Sequence, residues 1–240
     1  MEPLTRDHFF NGKIVLNQPE SGYRFSIDAV ILSHLVNPAP GETALDLGTG
    51  CGVIPIMLAF RHPEIRVIGV EIQPSLFRLA QRNVADNCLV DRVRMIEKDI
   101  GNLLPADIGG LVDRVVTNPP YRKLDSGRIN ADSQRAVARH ELKTDLDTVL
   151  RTARRMLRKA GQFSIIYPSV RSVDLVAAMR STGIEPKYLT MIHSRPASPA
   201  RLVAVMGVKG GRPGLDVGPP LDLYHADGTY TQAVETMFSI

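Results

Sequence analysis

Between residues 43 and 116, short apolar runs alternate with segments of helical periodicity, and no other feature of the sequence constrains the fold as tightly. Thr43 to Leu47, Arg66 to Val70, Val93 to Ile96 and Val112 to Val116 are strand-length runs of the kind buried on both faces. Val53 to Phe60 and Pro74 to Asp86 are helix-length segments between them. In the second, Leu76, Leu79, Ala80 and Val84 recur on one side, and Pro74 suits a first turn, where no amide is needed. Strands separated by helices pair in parallel with helices on both faces. Further on, Leu146 to Leu157 and Val173 to Met179 read as helices, and Gln162 to Ile166, Leu189 to His193 and Leu202 to Val208 as strands. The last two strands lack a helix-sized spacer, which predicts one antiparallel strand at the sheet edge. The expected fold is α/β: a doubly wound, mostly parallel, seven-stranded sheet.

A short N-terminal unit precedes it. Residues 8 to 16 and 23 to 25 read as extended pieces of a hairpin. Ser26 is placed to cap a helix reaching about Leu35, with Asp28 in its first turn. The expected organisation is a hairpin and helix over 1–40, the α/β domain over 41–210 and a Gly- and Pro-rich tail over 211–240 that packs across the domain. A length of 240 residues suits one such domain. No apolar stretch reaches the ~18 residues of a membrane helix, the first residues lack a signal-peptide pattern, and two cysteines are too few for a disulfide framework or a zinc site. These features predict a cytoplasmic protein with no membrane association and no metal.

The strand ends carry the chemistry. Asp46-Leu47-Gly48-Thr49-Gly50-Cys51-Gly52 closes the first strand and opens a helix. Glycines permit positive φ and close approach of a ligand, and the crevice at the carboxyl ends of a doubly wound sheet is where ligands bind. A tight strand–helix turn uses glycines too, so the context decides. Glu71 ends the second strand, where a carboxylate can accept both hydroxyls of a ribose. Asp99 follows the third, within reach of an adenine amine. The spacing G-x-G-x-G differs from the G-x-G-x-x-G of a dinucleotide site.

Asn118-Pro119-Pro120-Tyr121 follows the fourth strand at once. The prolines fix φ and lack N–H groups, so the turn is rigid and its carbonyls are free. The Asn118 amide oxygen and the Pro119 carbonyl can both accept from one NH₂ group. The lone pair of an adenine amine or a carboxamide is delocalised, and two acceptors on its hydrogens return electron density to nitrogen. Preorganised dipoles of this kind contribute several kcal/mol. Tyr121 can stack on a planar target, worth about 1–3 kcal/mol. From Asn118 to Ala160 there are eleven Lys/Arg and five Asp/Glu, although the whole chain carries only +4. Arg122, Lys123, Arg128, Arg135 and Arg139 lie just beyond the tetrapeptide, and Arg195 lies in a later Pro-containing loop. Such local positive charge suits a phosphate-bearing partner. Arg151, Arg154, Arg155 and Arg158 share one helix face, for which a solvated surface is the simpler reading.

With these segments in view, the chain resembles the class I, Rossmann-type, S-adenosylmethionine-dependent methyltransferases over nearly its whole length. Asp46 to Gly52 resembles their first motif, Glu71 and Asp99 their acidic positions, and Asn118 to Tyr121 their amino-methylating motif. More narrowly it is similar to bacterial tRNA adenine-N6 methyltransferases acting on valine tRNA, through Tyr23 to Val30 and Ala138-Arg139-His140-Glu141. The resemblance implies S-adenosylmethionine bound by Asp46, Gly48, Gly50, Glu71, Asp99 and Asn118, with Phe25 and Asp28 on the cofactor side. It implies catalysis at Asn118, Pro119, Pro120 and Tyr121, tRNA against the six basic residues named above, and transfer of methyl to adenine N6. The tetrapeptide also fits glutamine-N5 methylation of a protein, guanine-N2 methylation of rRNA or adenine methylation of DNA. Only about 42 residues precede the first strand, which leaves little for the helical recognition domain of the glutamine enzymes. A non-catalytic, cofactor-binding RNA protein would be expected to lose Asp46, Glu71 or Asn118, and all three are present.

Overall fold

The structure, a computed structural model, describes residues 4–20, 26–119 and 146–239. Strands β3 (Thr43–Leu47), β4 (Arg66–Glu71), β5 (Val93–Glu97), β6 (Val112–Thr117) and β7 (Leu157–Pro168) are parallel, in the order β7-β6-β3-β4-β5. The strand order reverses between β3 and β6, which creates the crevice in which α/β sheets bind ligands. Strands β8 (Ile184–His193) and β9 (Ala200–Lys209) complete the expected seven.

The antiparallel strand is β9, and it is not at the edge: it pairs antiparallel with β7 on one side and β8 on the other. Pro186 lacks a ladder donor, which suits β8 to the outer place, while β9 supplies the buried Val203, Ala204 and Val205. The outer side of β8 is met by two-residue strands from the tail, β10 (Asp216–Val217) and β11 (Leu221–Asp222), so the full sheet has nine strands.

Helices α1 (Ile27–Leu35), α2 (Val53–Arg61), α3 (Pro74–Asp86), α4 (Pro105–Ile108), α5 (Leu146–Met156), α6 (Ser172–Ser181) and α7 (Gln232–Phe238) cover the two faces. One core joins α1, α2, α3 and the tail helix α7; the other joins α5, α6 and residues 100–108. In α5, Val149, Leu150, Ala153 and Met156 are buried, as the 3.6-residue period requires. Each large apolar side chain so buried is worth about 1.5–3 kcal/mol. The helix runs directly into β7, which begins at Leu157 rather than Gln162. Leu157 pairs with Val112, and the extra residues form a bulge in which Ala160 has φ 60°.

The N-terminal hairpin consists of β1 (Leu4–Phe9) and β2 (Ile14–Pro19), not of 8–16 with 23–25; residues 23–25 lie outside the described residues. The turn is set by Phe10, Asn11 and Gly12, all at positive φ, so the chain reverses inside the run expected to be one strand. Strand β2 docks on α3 through asparagines. Asn83 Oδ1 accepts from the Asn17 amide at 2.9 Å, Asn83 Nδ2 donates to the Asn17 carbonyl at 2.9 Å, and Asn87 makes the same pair of bonds with Val15. Two side-chain amides thus stand in for a neighbouring strand. Ser26 occupies the N-cap of α1 but makes no side-chain cap bond. Its hydroxyl engages Asp28 instead.

Candidate active site

The parallel register brings the expected groups to one edge. Asp46 lies level with Gly69 and Val116, Leu47 with Val70, and Glu71 with Glu97. The carboxyl ends of β3, β4 and β6 therefore align, with Asp99 two residues beyond β5 and Asn118 one beyond β6. A cleft there is lined by Leu47, Gly48, Glu71, Ile72, Asp99, Ile100, Thr117, Pro119 and Val149.

The glycine turn is held to β4 by two bonds, from the Gly48 and Thr49 amides to the Val70 carbonyl, both 2.9 Å. Gly48, Gly50 and Gly52 have φ of 77°, 58° and 86°, which glycine adopts without the cost other residues incur. A Cβ on Gly52 would meet Met95 at 3.0 Å and Ala80 at 3.2 Å, so this glycine serves packing. A Cβ on Gly48 would meet nothing within 4 Å, so this glycine faces open space in the cleft.

Glu71 is buried, and its two oxygens are oriented by the Gly50 and Gln73 amides, each at 2.9 Å. Burial raises its pKa, and the amides of Gln73, Gly50 and Ile72 oppose that rise. One carboxylate thus couples the glycine turn to the start of α3 while keeping lone pairs for a ligand. Asp99 is half-buried, and its Oδ1 accepts from the Gly101 amide at 2.9 Å. Asp46 is fully buried, and neither of its oxygens has a hydrogen-bond partner among the described residues. Burial pushes it up to about 7, countered by the nearby Thr49 hydroxyl and reinforced by the charge of Glu71. A carboxyl buried this deeply is costly, and a positive group bound beside it would offset that cost; Asp46 itself lies behind the glycine turn and does not line the cleft. Open space at Gly48, two oriented acids and an uncompensated third fit S-adenosylmethionine, which carries a ribose, an adenine amine and positive charge.

Thr117 is a positioning residue that the sequence reading did not single out. Its Oγ1 donates to the Leu47 carbonyl at 2.8 Å in the buried interior. The last residue of β6 is thereby tied to the last residue of β3, and Asn118 and Pro119 emerge beside the glycine turn. Its position immediately before the motif was the available signal. Ile72 and Val149 line the cleft without any signal in spacing. Asp28 sits half-buried in the first turn of α1, its pKa raised by burial, and does not line the cleft. Phe25, Pro120, Tyr121, Arg122, Lys123, Arg128, Arg135 and Arg139 lie outside the described residues. Arg195 is exposed in the β8–β9 turn, beside Ser198, Tyr224 and Gly228. This turn follows the carboxyl end of β8, on the same edge as the cleft.

Residues 26–179 match the family model of the methyltransferase small domain. The chain belongs to that family. Among curated relatives, a tRNA1(Val) (adenine(37)-N6)-methyltransferase from Porphyromonas gingivalis is 30% identical over 211 residues, covering 84% of this chain and 81% of the relative. A protein of the same name from Actinobacillus pleuropneumoniae is 27% identical over 236 residues, with 98% and 97% covered. The crystal structure of a predicted O-methyltransferase from Agrobacterium tumefaciens superposes with a TM-score of 0.70 at 24% identity, covering 88% of this chain and 94% of that one. That likeness bears on the fold alone.

Proposed function

We propose that this protein transfers a methyl group from S-adenosylmethionine to the exocyclic N6 of an adenine in tRNA, and that its target is adenine 37 of a valine tRNA, as in its relatives' name. The observation that supports the reading is the Thr117–Leu47 bond, which ties the residue before Asn118 to the strand that opens the glycine turn, with Pro119 lining the cleft beside Gly48, Glu71 and Asp99. S-adenosylmethionine, when bound, supplies an electrophilic methyl on a sulfonium. Glu71 is oriented to accept the ribose hydroxyls and Asp99 the adenine amine of that molecule, while Asp46 offers a counter-charge. The Asn118 side-chain oxygen and the Pro119 carbonyl accept the two hydrogens of the target amine and aim its lone pair at the methyl. Alignment of the two reactants removes much of the entropic barrier. The nitrogen loses its proton readily once methylated, so the transfer requires no strong base. The target base must leave its stack to enter the cleft. Tyr121 stacks on that base, and Arg122, Lys123, Arg128, Arg135, Arg139 and Arg195 meet the RNA backbone. Such an enzyme works in the cytoplasm.

Incubation with methyl-labelled cofactor and tRNA, followed by digestion to nucleosides, tests the reading. The expected product is N6-methyladenosine, and Asn118→Ala is expected to bind cofactor but lose turnover. Label recovered on protein, or an Asn118→Ala enzyme with full turnover per bound cofactor, refutes it.

A further inference from the structure

A second cleft lies between the C-terminal half of α5 and the end of α6, at the amino end of β8. Its cations are Arg151, Arg154, Arg155, Arg180 and Lys209, and the acid lining it is Asp147. Their partners separate them. Arg155 is a structural residue, donating to the carbonyls of Ile100, Gly101 and Leu103. Arg180 is held by Glu185 at 2.7 Å, and Arg151 by Asp147 at 2.9 Å in a pair about 60% exposed on both sides. Such an exposed pair contributes little and opens easily. Arg154 is exposed and has no acidic partner among the described residues. Lys209 donates to the Leu157 carbonyl at 2.6 Å, which leaves two of its three protons uncommitted. Burial and the charge of Arg154 both lower the Lys209 pKa, so Arg154 and Lys209 repel one another across the cleft. Gly183, at φ 79°, makes room for the Arg154 guanidinium, since a Cβ there would lie 3.1 Å from Nε.

We infer that this cleft takes phosphates of the RNA backbone, as an extension of the substrate track down α5 away from the methyl-transfer cleft. The inference rests on the tRNA reading. Helix α5 connects the two clefts: Val149 lines the first and Arg154 the second. At 1.5 Å and ~100° per residue they lie ~8 Å apart along the axis and ~140° apart around it, Val149 facing the core and Arg154 the solvent. A tRNA bound at the first cleft is large enough to follow the exposed side of α5 toward the amino end of β8, where its backbone phosphates meet Arg151 and Arg154. Two cations that repel each other in the free protein are relieved by an anion between them.

The test is methylation of tRNA over a range of NaCl by the wild type and by Arg154→Gln/Lys209→Met, with Arg82→Gln on α3 as a control for charge loss. The double variant should show a KM for tRNA raised at least tenfold. Its log KM against log[NaCl] should be shallower by ~1 to 2, since each lost phosphate contact removes ~0.9 from the slope. Its cofactor affinity and its turnover at saturating tRNA should match the wild type, and Arg82→Gln should leave the KM unchanged. An unchanged KM and slope in the double variant overturn the inference while the wild type still methylates tRNA. So does micromolar binding of inorganic tripolyphosphate that is lost in the double variant without any change in the tRNA KM, because the cleft then serves a small anion. A wild type that methylates no tRNA refutes the functional reading itself.

Discussion

Replacing Asp46 with asparagine isolates the cost of burying an acid beneath the glycine turn of the ligand-free protein. The carboxyl is fully buried and pushed up to about 7 from an ordinary 3.8, chiefly by burial. Between those values the folded state keeps a proton that the unfolded chain has released, so stability falls as pH rises. Below 3.8 both states are protonated and above 7 both are ionised, so the loss is confined to that window. At 1.36 kcal/mol per pH unit it amounts to ~4 kcal/mol overall, of which ~3 kcal/mol falls between pH 5 and pH 8. Glu71 and Asp28 are also raised and shift stability the same way, while His34 and His62 are lowered by burial and nearby positive charge and oppose it. Comparing variant with wild type at each pH removes most of these shared contributions. Urea unfolding of the cofactor-free proteins at pH 5 and pH 8 should show Asp46→Asn gaining ~3 kcal/mol on the wild type between the two. The variant should also bind S-adenosylmethionine less tightly at pH 8, having lost the counter-charge. An equal stability difference at both pH values would mean that Asp46 is solvated or paired in the ligand-free protein, and the reasoning would fail.

Glu71→Gln should weaken cofactor binding ~10- to 100-fold by calorimetry, the value of ~1.5–3 kcal/mol in charged hydrogen bonds. Because the Glu71 pKa is raised, wild-type affinity should decline as pH falls toward the folded value; a flat profile would argue against its role. Thr117→Val removes the buried bond to the Leu47 carbonyl and should destabilise the fold by ~1 kcal/mol. Its turnover should fall more than its cofactor affinity, and the opposite pattern would remove Thr117 as the positioner of Asn118. Asn83→Ala removes the partner of the Asn17 amide and a donor to the carbonyls of Asn17 and Cys51, so a loss of ~3 kcal/mol and faster hydrogen exchange at the Asn17 amide are expected.

The parallel core and the cleft were largely legible because each depends on local pattern. Strands β3 to β6 show as apolar runs, α3 shows at its observed bounds, and the acids and Asn118 stand at strand ends where topology alone assigns them a common edge. What escaped depends on contacts between distant segments. Strands β10 and β11 are two residues long and exist because β8 needs an outer partner. The docking of β2 on α3 is made by Asn83 and Asn87, whose i, i+4 spacing beside the apolar stripe was a signal that hydrophobic periodicity passes over. The four arginines of 151–158 share a face on paper, yet Arg155 is bound to backbone carbonyls, Arg158 pairs with Asp113, and Arg154 is left to the second cleft. The depth of Asp46 was likewise invisible, since an acid at a strand end is as easily solvated as buried.

The most direct test uses two transcripts of an unmodified valine tRNA, one natural and one with adenine 37 replaced by guanine. Each is incubated with labelled S-adenosylmethionine and the purified protein, then digested to nucleosides. One N6-methyladenosine is expected per natural transcript and none in the substituted one. Equal labelling of both transcripts, or label in a nucleoside other than N6-methyladenosine, would contradict methylation at adenine 37.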